Sequence, residues 1–440
     1  MRIALLGQFG SGNYGNDGSL AAMVATLRRV APEAELLCIC SGPAEVRSRL
    51  GVPSVAIGAP AFVTARARAL DRLALRIPRR IRGLGAALSA CRGVDVVIIP
   101  GTGILDDFHD RAFGWPFVLL RWCFAARLVG ARIAFVSVGA GPIRGRLSRR
   151  FLTWAAGLAG LRTYRDALSR DFMASVGFDV SNDRLFPDLA LGLPAPSLPP
   201  TKAAPPTVGV GLMSYFGWVK DGPDGEAIFE AYLVKMAGFV AWLRAAGWRV
   251  HLLGGDDSDA RAVASVLERV DGDEPPRRAD AISVGVGRSL EDVMAELSQC
   301  DLVVASRFHN VLCAVRVRRP TLSVGYAEKN RALLSAAGLG AFCMEIESLD
   351  LEALKSRFLQ LSVERSELVA GIDRFLVDSS RQLAEQEALL LGFVKGDGRH
   401  PRPGGECSAL GRNAVNPSRA KHALRRPRVP ARASRGRPGG

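Results

Sequence analysis

No stretch of this 440-residue chain is long and apolar enough for a membrane-spanning helix, which needs about 20 residues. The most apolar candidate, GWPFVLLRWCFAARLVG (114–130), is interrupted by Arg121 and Arg127. A signal-peptide core is missing as well: in MRIALLG the basic residue is followed by only four apolar ones before the glycine, so it reads as a first buried strand and the chain as cytoplasmic. Histidine is scarce, with five in all, and no two stand at metal-ligand spacing. None of the eight cysteines (38, 40, 91, 123, 300, 313, 343, 407) forms a CxxC pair, which argues against zinc and dithiol redox sites and for buried thiols. There is no Walker A lysine loop and no GxSxG elbow. Repeats of solenoid length are absent too.

What is present is an alternation of short β-branched runs with longer Ala/Leu/Arg-rich stretches, the pattern of βα units with a parallel sheet. Strands are expected at RIALLG (2–7), ELLCIC (35–40), VDVVIIP (94–100), RIAFVSV (132–138) and RTYR (162–165). A second set falls at TVGVGLM (207–213), RVHLLGG (249–255), AISVGV (281–286), DLVVAS (301–306) and TLSVGY (321–326). The proline-rich segment 193–207 continues neither element type and reads as a stiff linker. The expected fold class is therefore α/β: two doubly wound, Rossmann-like domains (1–192 and 208–395) facing a cleft, with ligands beyond the carboxyl ends of the strands. The formal charge of +15 is concentrated in residues 396–440, where eleven Lys or Arg face two acids and large apolar residues are few, so this tail is expected to be disordered. The remaining +6 does not mark a specific nucleic-acid binder.

Chemistry-bearing residues cluster at the strand ends. The first strand runs into GQFGSGNYGNDGSL (7–20), whose glycines suit either a tight turn or a close approach to an anion. The third ends in PGTGILDDF (100–108), where Asp106 and Asp107 either cap a helix or hold hydroxyls, and His109 follows them. The fourth ends in SVGAGPI (137–143). Arg165, Arg307, His309 and Lys329 each follow or end a strand. Two unit charges about 4 Å apart repel by roughly 4 kcal/mol at an effective dielectric near 20. Convergence of these cations implies an anionic ligand, unless Asp166, Asp188 and Glu328 neutralise them. Taken singly, His309 is equally a core histidine.

The ordered set of motifs resembles the polysaccharide pyruvyl transferase family. The family's loops stand here as GNYGNDGS (12–19), GTGILDD (101–107), GAGPI (139–143), RDALS (165–169), PDLAL (187–191) and SRFHNVLCAVRVRRPTLSVGYAEK (306–329). The resemblance implies a GT-B-like fold and an enzyme that transfers a pyruvyl group from phosphoenolpyruvate, as co-substrate, to a saccharide acceptor, forming a ketal without a metal. It implies that Arg165, Arg307 and Lys329 bind the donor and that His309 is the general acid, with Arg307 beside it lowering its pKa in the empty site. Acceptor or loop candidates are Gly12, Asn13, Gly15, Asp17, Gly101, Gly103, Asp106, Asp107, Gly139 and Gly141. Two positions depart from the family pattern: Asn16 stands where the loop usually carries an acid, with Asp17 one residue later, and Thr102 interrupts a glycine triplet. A nucleotide-sugar glycosyltransferase and a non-catalytic carbohydrate-binding protein are the competing readings of the same architecture.

One segment lies outside the motifs. ARARALDRLALRIPRRIRGLGAALSACR (65–92) has eight arginines against one acid among leucines and isoleucines. It reads either as a solvated helix face or as a basic amphipathic helix lying on an anionic membrane, where a lipid-linked acceptor would be presented.

Overall fold

The computed structural model describes residues 1–74, 76–108, 110–197, 205–217, 224–271, 282–326 and 328–396. The tail, the centre of the linker and His109 lie outside the described residues.

Two parallel sheets carry the chain. The first contains β1 (Arg2–Leu6), β2 (Glu35–Cys40), β3 (Ser54–Ala56), β4 (Val96–Pro100), β5 (Arg132–Val138), β6 (Leu161–Tyr164) and β7 (Arg184–Leu185), in the order β3-β2-β1-β4-β5-β6-β7. The second contains β8 (Thr207–Gly211), β9 (Arg249–Leu253), β10 (Ile282–Val284), β11 (Leu302–Ala305), β12 (Thr321–Gly325) and β13 (Cys343–Glu345), in the order β10-β9-β8-β11-β12-β13. Both are doubly wound: strand order reverses between β1 and β4 and again between β8 and β11, which opens a crevice at each reversal. All ten strands expected from sequence are present. The three that were not legible, β3, β7 and β13, are edge strands of two or three residues. A run of two or three residues carries little periodicity of its own and depends on a neighbour's ladder, although β10, an edge strand of three residues, was legible from AISVGV.

Helices cover the faces. Around the first sheet are α1 (Tyr14–Val30), α2 (Pro43–Leu50), α3 (Ala65–Leu73), α4 (Ile77–Cys91), α5 (Trp115–Leu128), α6 (Arg146–Gly157) and α7 (Ala167–Ser175). The second sheet has α8 (Gly225–Ala245), α9 (Ala260–Asp271), α10 (Leu290–Ser298), α11 (Phe308–Arg316), α12 (Glu328–Ala336) and α13 (Leu351–Lys395). The basic segment 65–92 is not one helix, as its sequence suggests, but two. Pro78 lacks an N–H and clashes with a preceding helical turn, so it is tolerated only in the first turn of α4, and Arg76 before it adopts φ +60°.

The 45-residue α13, about 68 Å long at 1.5 Å per residue, ties the sheets together. Its first half packs on α8, with Phe358 edge-on to the rings of Phe239 and Trp242. Its second half returns to the first sheet, where Gln386 Nε2 donates to Ser137 Oγ at 2.7 Å and to Thr163 Oγ1 at 3.0 Å. Arg132 then donates to the last carbonyls of the helix, Phe393 and Val394. The buried core of the second sheet continues through α1, α13 and the turn Leu189–Gly192 onto one face of the first, so the two halves share one hydrophobic core, while the other face of the first sheet packs a second under α4, α5 and α6.

Candidate functional site

The strand ends of both sheets meet at a cavity of about 960 Å³. The loops after β1, β4, β5 and β6 supply one wall, and those after β8, β9, β11 and β12 the other. A short antiparallel bridge between Asn13 and Asp256 and a 3.1 Å bond from Tyr14 OH to Asp257 Oδ1 pin the walls together. Burial and Asp257 hold the Tyr14 hydroxyl up at about 12.

Arg165, Arg307, His309 and Lys329 all line this one cavity. Each cation is held differently. Arg165 Nη1 donates to Asp188 Oδ2 at 3.0 Å, and its guanidinium lies 5.0 Å from the centre of the Phe308 ring. Arg307 makes a two-pronged pair with Asp259, Nε to Oδ2 and Nη2 to Oδ1, both at 2.7 Å, which leaves its Nη1 unengaged by that carboxylate. Asp259 is 0% exposed and also accepts from the N–H groups of Ser214 and Gly255, each at 3.0 Å, so its lone pairs are filled and the arginine is immobilised. Lys329 lies over the rings of Phe308 and Tyr326, at 5.4 and 5.8 Å, and has no ion-pair partner among the described residues.

His309 begins α11 with one edge toward the cavity. Its Nε2 is 3.9 Å from Asp188 Oδ2, too far for a hydrogen bond, and has no other partner. Burial pushes its pKa down to about 4; Asp188 opposes this, while Arg165, Lys329 and Arg307 add to it. The expected depression is there, but desolvation dominates it and Arg307 is the smallest of the named contributors. Asp188 itself, pulled up by burial, is held below the usual carboxylate range by Arg165 and His309, and its Oδ1 accepts from Ala190 N at 3.0 Å.

The acceptor and loop candidates divide. Asn13, Gly103, Asp106, Gly139 and Gly141 line the cavity; Gly12, Gly15, Asp17, Gly101 and Asp107 do not. Asp106 is pushed up to about 6 by burial, with Asp107 raising it further against Lys329 and Arg144. Asp107 holds a loop rather than the start of the next helix: its Oδ2 accepts from the N–H groups of Arg144 and Gly145 at 2.7 and 3.1 Å, ahead of α6, while at the start of α5 it is Asp110 Oδ2 that accepts from Trp115 N, at 2.8 Å. Gly15 acts from behind the wall. A β-carbon there would sit 2.0 Å from His309 Nδ1, so only glycine admits the imidazole. In the first loop, Asn16 faces the cavity, whereas Asp17 turns away to accept from Gly10 N at 2.7 Å. Successive residues of a helix are rotated by about 100°, and α1 has already begun at Tyr14, so the neighbouring aspartate cannot replace an acid at position 16. Thr102 does not narrow the cleft by bulk alone: it holds φ +63° with its hydroxyl buried and unpartnered.

Sequence reasoning missed Asp259, the anchor of Arg307. The available signal was GGDDSD (254–259) directly after a strand end. His251 is structural, its ring bonded to Ser283 Oγ at 2.8 Å and Glu296 Oε2 at 3.3 Å. Among the described residues no group of His, Cys, Asp and Glu is arranged to hold a metal ion.

Solved structures with the same fold include a glycosyltransferase from Rickettsia africae (8% identity, TM-score 0.58, covering 90% of this chain and 99% of that one). Anabaena HepE in complex with UDP-glucose is similar over 90% of this chain and 100% of its own (12% identity, TM-score 0.54). So is the glycosyltransferase SnogD from Streptomyces nogalater, over 90% and 99% (17% identity, TM-score 0.53). At these identities the likeness shows the fold alone, that of the two-domain GT-B glycosyltransferases. No curated protein sequence matches the chain. The family model for polysaccharide pyruvyl transferase matches residues 13–328, from the first loop through Lys329's neighbour Glu328, and the chain belongs to that family.

Proposed function

We propose that the cleft binds phosphoenolpyruvate and transfers its pyruvyl group to two hydroxyls of a saccharide in a bacterial exopolysaccharide or lipid-linked repeat unit. The observation that carries this reading is the convergence of Arg165, Arg307 and Lys329 around His309 in one cavity. Asp188 and Asp259 offset charge on Arg165 and Arg307, but Lys329 has no described carboxylate partner, so the wall keeps positive charge that suits a small anion, and the half-buried His309 imidazole offers a proton beside it.

The chemistry divides among these residues. His309 gives its proton to the methylene carbon of the enol phosphate, which makes the adjacent carbon electrophilic. An acceptor hydroxyl adds there and loses its proton to Asp106, whose raised pKa suits a base operating near neutrality. The C–O bond to phosphate breaks, phosphate departs against Arg307 and Lys329, and the second hydroxyl closes the ketal while its proton leaves with the phosphate. The cations stabilise charge throughout, and a positioned proton donor is worth roughly 10² to 10⁴ in rate.

Phosphate release from phosphoenolpyruvate across a panel of glycosides tests the proposal, comparing the parent with His309→Gln and Arg307→Ala. Loss of release in both variants, with their circular dichroism unchanged, is expected. Equal release in all three removes the mechanism. Calorimetry with phosphoenolpyruvate and with nucleotide diphosphates decides the class: nucleotide binding without phosphoenolpyruvate binding would make the protein a nucleotide-sugar transferase instead.

A further inference from the structure

The face formed by α3 to α6 leaves apolar side chains in solvent that the cleft does not use. On α3, Leu70 is 64% and Leu73 81% exposed, and the buried residue is Asp71. Asp71 Oδ1 accepts from Arg79 N at 2.9 Å, tying α3 to the first turn of α4. Along α4, Ile77 and Ile81 follow at helical spacing, both exposed. Ile81 then enters an apolar groove of about 890 Å³ with Leu84, Phe117 and Phe124, closed on the far side by Trp154 of α6, itself 58% exposed.

One polar residue belongs to this groove without a counterpart. Arg121 is 5% exposed and lines it; Nη2 donates to Ile57 O at 2.7 Å, but Nε has no partner. It has no ion pair among the described residues, and its charge is disfavoured by burial and by nearby Arg79. A buried, unpaired guanidinium is costly, and an anion arriving from outside would relieve it. The elements that form this face also carry exposed arginines: Arg66, Arg68 and Arg72 on α3, Arg79 and Arg82 on α4, and Arg150 on α6. A ligand that is apolar at one end and anionic at the other fits, repeated over a surface: the lipid of an anionic bilayer.

We propose that this face docks on an anionic membrane, with an acyl chain in the groove and lipid phosphate at Arg121 and the exposed arginines of these elements. The loop between β4 and α5 carries Phe108 in the cleft wall and Phe113 under Arg80, 3.9 Å from its guanidinium, so the docked face and the cleft share one loop. Presentation of a lipid-linked acceptor to the cleft rests on the function proposed above; the docking itself does not.

Sedimentation of the full chain with phosphatidylcholine vesicles, with and without phosphatidylglycerol, is the test. Binding is expected only with phosphatidylglycerol and is abolished by high salt. Arg66→Ser/Arg68→Ser/Arg72→Ser lowers the partition coefficient roughly a hundredfold, about fivefold per arginine, and Leu70→Ser/Leu73→Ser lowers it as well. Brominated lipid quenches tryptophan emission in the parent and not in Trp154→Phe. Phosphate release with a water-soluble glycoside is unchanged in these surface variants, so failure of docking and failure of the reaction are read separately. The proposal is overturned by absent binding, by binding insensitive to the variants, or by light scattering that shows this face buried in a dimer the same substitutions dissociate.

Discussion

If phosphoenolpyruvate loads the general acid, its binding must raise the pKa of His309. In the empty site that pKa is about 4, so at pH 7 only about one molecule in a thousand carries the proton. One uncompensated negative charge about 6 Å from the ring contributes roughly 2.8 kcal/mol at an effective dielectric of 20, close to two pK units. That lifts the group to about 6 and the protonated fraction at pH 7 to about a tenth. The sign follows from linkage: binding takes up a proton, so donor affinity strengthens as pH falls between the bound and empty pKa values, by at most tenfold per unit. Titration of ¹³C-labelled histidine by NMR, with His309→Gln to assign the resonance, measures the shift with and without phosphoenolpyruvate in the absence of acceptor. Lys329→Met removes one of the charges that depress His309 and should raise the empty-site pKa. If the pKa stays near 4 when calorimetry shows the site saturated, the proton comes from elsewhere and the mechanism fails.

Three further outcomes follow from the geometry. Asp259→Asn breaks a buried two-pronged ion pair and should cost about 3 to 5 kcal/mol of stability, read from the urea midpoint, together with at least a tenfold loss of phosphoenolpyruvate affinity; unchanged stability would mean the pair is not closed to water. Gly15→Ala pushes a β-carbon against His309 and should reduce kcat at least tenfold with little change in the donor Kd, because the cations stay in place. Thr102→Gly releases a β-branched residue from the left-handed region and should raise stability by about 1 to 2 kcal/mol in thermal denaturation. A loss there would show that the Thr102 hydroxyl has a role the strain supports.

The central strands were legible because a parallel strand buried on both faces must be a continuous β-branched run, and VDVVIIP and DLVVAS are such runs. Edge strands β3, β7 and β13 were not, since their pairing is conferred by a neighbour. The cationic residues of the site could be placed because each stands within a few positions of a strand end, and the architecture puts strand ends in the cleft. Their partners could not. Asp259 lies 48 positions from Arg307, and Gly15 lies 294 positions from His309, distances over which a single sequence carries no signal of contact.

Burial pattern and strand-end chemistry are local properties, and they sufficed for two doubly wound sheets with a row of cations at their carboxyl edges. Which of those cations remains available depends on charges brought from other loops. Asp259 neutralises Arg307, Asp188 restrains Arg165, and no described carboxylate pairs with Lys329. The same holds at the first loop, where helical rotation gives the cavity Asn16 rather than Asp17. Electrostatics and steric exclusion act through space over a few ångströms, so they were decided only when the chain closed the two halves on one another.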